Sequence, residues 1–226
     1  MFRDLIRIWK EQDFTDAVIG EFSSMLAHTE EMLDYALKVI INRRKGKKSA
    51  QKIYLKDQKI NLTKQDINRR ILTHLSTNPG GNLPGSLALV SLAKDAERLG
   101  DYVKNIFELN DIIGDCKGSE ELFDVLFVDI GNEVLELISE VRNAFISSDD
   151  TLAKQATVKA RGIADRCEKM IEDVVEIDCP NRLSVGLALG ARYFKRIALH
   201  LSNIASSVFL SLPEMDYIDG AIDHDD

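Results

Sequence analysis

Glu97 and Asp101 are the pair of side chains in this sequence best placed to do chemistry. They lie in Ala93-Lys94-Asp95-Ala96-Glu97-Arg98-Leu99-Gly100-Asp101-Tyr102-Val103-Lys104-Asn105-Ile106. Residues four apart are neighbours on one helix face. Two carboxylates at that spacing repel each other unless a cation lies between them, and together they are a hard-oxygen pair for a metal ion. At about 100° per residue they fall well away from the centre of the apolar stripe, so they point outward or along a flank. The plainer alternative is a surface ion-pair set with Lys94, Arg98 or Lys104.

The elements that must position them are helical almost throughout. Phe22, Met25, Leu26, Thr29, Met32, Leu33, Ala36, Val39 and Ile40 recur at three- and four-residue steps, up to a stop at Gly46. Ile53, Ile60, Ile67 and Ile71 mark a second helix, which ends before Thr77-Asn78-Pro79-Gly80-Gly81-Asn82. A third stripe, Leu89 to Phe107, stops by Gly114. The pattern restarts with Leu122 to Phe145, then a helix-start signal at Ser147-Ser148-Asp149-Asp150. A fifth helix is expected to reach about Ile177. A sixth runs from about Arg182 to Leu212, after Pro180. Pro79 and Pro84 are read as lying in the turn before the third helix.

Helices three and six align at an offset of 98 residues. Ser86 meets Ser184, Leu89 meets Leu187, Ala93 meets Ala191, Arg98 meets Arg196, Asn105 meets Asn203 and Ile106 meets Ile204. Six identities in one register indicate an internal repeat. The predicted fold is all-α, with two tandem antiparallel three-helix bundles over residues 1–114 and 119–212 and an acidic tail over 213–226. The 226 residues are enough for a substantial core. Standard phosphate-loop, dinucleotide, serine-hydrolase and zinc-protease signatures are missing, and no His follows a Glu by three residues. The chain therefore reads as a non-enzyme.

The signature A-[RK]-D-x-E-R-[IL]-G-D-x-x-x-N-I, present at Ala93 to Ile106, resembles the signature helix of PhoU-type phosphate-signalling proteins. The resemblance extends to the duplicated three-helix layout. It implies a cytoplasmic negative regulator of phosphate uptake and of the phosphate-starvation regulon, with a phosphate transporter and its sensor kinase as protein partners. Some members bind iron or zinc clusters through E(D)xxxD motifs, so the resemblance implies a divalent or iron-type metal ion at the first bundle. By position, Glu97 and Asp101 match one motif, and Asp57 matches the first acid of its companion. Asn61 replaces that companion's second acid, and Lys195 and Leu199 replace the pair in the second repeat. Helix five offers Asp165 and Glu168 without a fixed register. Leu199, at the outward angle of Asp101, is read with Phe194 and His200 as part of a contact with another chain, a homodimer being one form.

Charge completes the picture. The net charge is −8, from 29 Lys+Arg against 37 Asp+Glu. Residues 43–59 carry eight basic groups and one acid, Asp57, which leaves −15 for the remainder. Arg43, Arg44, Lys45, Lys47 and Lys48 head this cluster, which reads either as a solvated turn or as a docking patch for an acidic partner surface, anionic lipid headgroups or a phosphorylated ligand, giving at most peripheral membrane association. The acidic balance argues against a specific nucleic-acid partner. An odd three cysteines without a CxxC pair point to reduced thiols. No apolar run reaches the roughly 18 residues of a membrane span, and the N-terminus lacks a secretory pattern, so a cytoplasmic location is expected. Two alternatives stand beside the regulator: a metal-dependent hydrolase or phosphatase on a helical scaffold, and a helical adaptor unrelated to phosphate.

Overall fold

In the computed structural model, residues 12–42, 47–78, 83–115 and 118–210 are described. They form six helices and no strand. Helix α1 is Gln12–Ile41, α2 is Lys47–Thr77 and α3 is Leu83–Ile113. Helix α4 runs Glu120–Asp124, passes through a π-helical stretch at Val125–Ile130 and continues as Gly131–Ser147. Helix α5 is Asp150–Glu176 and α6 is Asn181–Ser206.

The boundaries follow from local chemistry. Gly114, at φ +59°, takes the left-handed conformation that ends α3, where a side chain would be strained. Asp149 caps α5: its Oδ1 accepts from the backbone N–H of Thr151 at 2.9 Å and of Leu152 at 3.0 Å. Pro84 falls inside the first turn of α3 rather than before it, a place where the missing N–H costs nothing. Helix α6 ends at Ser206, short of the expected Leu212. There the Ser206 and Ser207 hydroxyls donate to the carbonyls of Asn203 and Ile204, and the backbone passes into turns.

The two repeats share one core. Helix α2 packs on α1 and α3, and α5 packs on α4 and α6, as the outer helix of each bundle. The seams between repeats are α1 against α4 and α3 against α6. Buried side chains run without a break from Val18 through Ile106 to Ile204. Among the described residues, the fully buried side chains of α2 are Ile53, Ile60, Ile67 and Ile71, one narrow stripe at near-heptad spacing, as suits an outer helix.

Glycine opens the α3–α6 seam. A Cβ on Gly186 would overlap Cγ1 of Ile113, so only glycine lets the two backbones come so close. The π stretch, which the helical periodicity did not foretell, places Phe127 beside Gly190 and edge-on to Phe194, with ring centroids 6.2 Å apart. Phe194 is therefore fully buried and His200 nearly so. This corrects the expected outward patch: Leu199 is half-buried, and its two supposed companions face the inside.

Candidate functional site: the carboxylate flank of α2 and α3

Antiparallel packing of α2 on α3 brings the three predicted acids to one flank. Its register is set where α2 is pressed closest: a Cβ on Gly100 would meet Ile60 Cδ1 at 3.1 Å and Asp57 Oδ1 at 3.6 Å. Asp57 and Asp101 thus face each other across the helix pair, and Glu97 lies one turn back along α3.

Two lysines hold these acids. Lys104 Nζ donates to Asp101 Oδ1 at 2.8 Å and to Asp57 Oδ2 at 3.2 Å, bridging the two helices. Lys64 Nζ donates to Glu97 Oε1 at 3.0 Å. The set is a crossed ladder. On α2, Asp57 and Lys64 are seven residues apart; on α3, Glu97 and Lys104 are also seven apart, and each acid meets the other helix's base. Tyr54 extends the ladder by donating its hydroxyl to Glu108 Oε1 at 2.8 Å. That bond, more than burial, raises the Tyr54 phenol above its ordinary range. Burial opposes the Lys104 ammonium, yet its hydrogen bonds to Asp101 and Asp57 outweigh burial and shift it upward.

The side chains of Asp57, Glu97, Lys64 and Lys104 are only 13% to 26% exposed, so these pairs are screened less than free surface pairs. Asp101 is the outermost, at 46%. Lys104 was among the anticipated ion partners of these acids. Lys64 was not, because its pairing depends on the α2–α3 register.

The second repeat reverses the charges. Lys195, aligned with Glu97, pairs with Glu168 of α5. Leu199 stands where Asp101 does, and Asp165 is exposed. Between α4 and α5, Lys159 pairs with Glu136 and Glu140, and Arg166 is bidentate to Glu133.

A second polar cluster lies on the α3–α6 seam, and sequence reasoning missed it. Tyr102 and His200 occupy equivalent positions of the repeat and stack with ring centroids 5.7 Å apart and 24° between planes. The axis relating the repeats therefore passes between them. Across it, the His200 Nδ1 and Asp95 Oδ1 pair at 3.1 Å is the counterpart of the Tyr102–Tyr193 ring contact at 6.2 Å. The offset of 98 residues, extended from the identical positions to Tyr102 and His200, was the signal that could have found it.

Of the basic patch, Arg43, Arg44 and Lys45 lie outside the described residues. Lys47 and Lys48 open α2, with side chains outside the described set. Further along α2, Lys52 sits 4.3 Å over the Tyr35 ring and Lys56 pairs with Glu31, tying α2 to α1. Among the described residues, no helix is long and apolar enough to cross a membrane.

Residues 22–109 match the model of the PhoU domain, a span that runs from the buried stripe of α1 through the ladder. No curated protein matches the chain. Solved structures share its fold. The phosphate transport system regulatory protein PhoU from Streptococcus pneumoniae aligns with a TM-score of 0.74 and 17% identity, over 91% of this chain and 95% of that one. PhoU from Pseudomonas aeruginosa aligns at 0.76 and 18%, over 93% and 99%. Residues 22–109 thus match the PhoU domain, and the chain as a whole has the fold of these PhoU structures.

Proposed function

We propose that this protein regulates phosphate transport and phosphate-starvation signalling through contacts with other proteins. The observation that carries this reading is the PhoU-domain match over residues 22–109, which includes both acids of the α3 signature. The fold match over nine-tenths of the chain supports it, since one of those relatives is itself a regulator of phosphate transport. The partners expected from the resemblance are a phosphate transporter and its sensor kinase. The mechanism is a population shift, in which phosphate status changes which helical face is occupied. The basic tip at Arg43, Arg44, Lys45, Lys47 and Lys48 is the proposed docking point for an acidic partner surface.

Hydrolysis by bound metal ranks below this reading. It requires several convergent carboxylates or histidines with an open position for water. The acids of the α2–α3 flank are already engaged by lysines. Deleting the gene tests the regulatory reading. Alkaline phosphatase activity in phosphate-replete cells should rise above the parent level and return when the wild-type gene is restored. Unchanged activity would reject the reading.

A further inference from the structure

The related carboxylate pattern implies a metal ion at this flank, and the residues present do not fit one. Among the described residues, no group of three His, Cys, Asp or Glu side chains is arranged to hold a metal. Asp57 and Asp101 face each other, but Lys104 Nζ already lies within hydrogen-bond distance of both. Glu97 is drawn to Lys64 instead of toward the other two acids. Asn61, a neutral amide, stands where a fourth carboxylate would be needed. Hard divalent cations require several oxygens converging on one point.

We propose that the flank is a metal-independent form of the carboxylate site, in which the tethered ammonium groups of Lys104 and Lys64 stand in the place of a bound cation. Two positive charges face three negative ones, so most of the repulsion between the acids is cancelled internally. A metal ion could enter only by displacing the ammonium groups of Lys64 and Lys104, whose side chains are 26% and 22% exposed, from these carboxylates. Covalent attachment also removes any dependence on free metal: the cation cannot exchange, be chelated or be replaced by a competitor. The inference concerns how the flank is held together, and it stands whether or not the protein regulates phosphate transport.

The test is metal content and thermal stability of the full chain. Purified protein is incubated in turn with Fe2+, Zn2+ and Mn2+, desalted and analysed by mass spectrometry for bound metal. Its Tm is then measured with and without EDTA. The wild type should retain far less than one metal per chain, and its Tm should not respond to EDTA. The Lys64→Met/Lys104→Met variant should melt lower, and Zn2+ or Mn2+ should restore part of the loss by occupying the vacated carboxylates. Two results would overturn the inference. One is stoichiometric metal in the wild type that disappears in Asp57→Asn/Asp101→Asn. The other is a double-lysine variant as stable as the wild type. The wild-type measurement decides the matter even if that variant fails to fold.

Discussion

Glu97 and Lys195 occupy equivalent positions in the two repeats and carry opposite charge, and each is paired with an ion of the other sign on the preceding helix. Lys64 holds Glu97, and Glu168 holds Lys195. The duplicated helix pair has kept the ion pair and exchanged its polarity. Electrostatic pairing at this level of the bundle therefore has the same form in both repeats, while the identity of each partner is free.

That exchange predicts a charge swap. Glu97→Lys should destabilise the chain, because it sets two ammonium groups together. Lys64→Glu/Glu97→Lys should recover most of the loss. For a partly exposed pair the coupling is expected to be about 0.5–1 kcal/mol. Urea denaturation of the four chains of the double-mutant cycle measures it.

The α3–α6 seam depends on the absence of a side chain at Gly186. Gly186→Ala would drive a Cβ into Ile113 Cγ1 and should cost about 1–3 kcal/mol through overpacking. Gly162 on α5 is the contrast: a Cβ added there would meet no atom within 4 Å, so Gly162→Ala should stabilise by about 0.5–1 kcal/mol. Opposite changes in the denaturation midpoint for two Gly→Ala substitutions check the packing directly.

Much of this arrangement was legible in the amino-acid sequence. The helices follow from three- and four-residue apolar spacing, and their ends from Pro180, Asp149 and Gly114, because those features act within a few residues. The repeat register followed from the matched positions between Ser86 and Ile106. What stayed hidden depends on long-range register. Lys64 could be assigned to Glu97 only once Ile60 was seated against Gly100. The π stretch is tied to Phe127 meeting Gly190, a residue of the last helix. Phe194 and His200 were misplaced because α6 packs against both α3 and α5, so its solvent-facing sector is narrower than that of an outer helix such as α2.

Cys167 should be chemically silent in the native protein. Burial pushes its thiol up to about 12, so almost no thiolate forms near pH 8. Iodoacetamide labelling followed by peptide mass spectrometry should leave Cys167 unmodified in the folded chain and modify it after denaturation. Half-buried Cys179, whose Sγ lies 3.0 Å from Ser184 Oγ, should label faster.

His28 gives a pH dependence with a defined sign. Burial, reinforced by Lys56 and Lys59 and opposed by Glu31, lowers its pKa, and its Nδ1 is buried without a hydrogen-bond partner among the described residues. The unfolded chain therefore takes up this proton first as pH falls through about 6.5, and stability is lost on acidification from there downward. His28→Gln should lose less Tm than the wild type between about pH 7.5 and pH 5.5. Parallel melts at the two pH values give the comparison.

The regulatory reading meets its most direct test in the rate of phosphate uptake. Labelled phosphate is supplied to phosphate-replete cells of the parent, the deletion strain and the deletion strain carrying the wild-type gene. A negative regulator of transport predicts faster uptake in the deletion strain and a return to the parent rate on complementation. Equal rates in all three strains would contradict it.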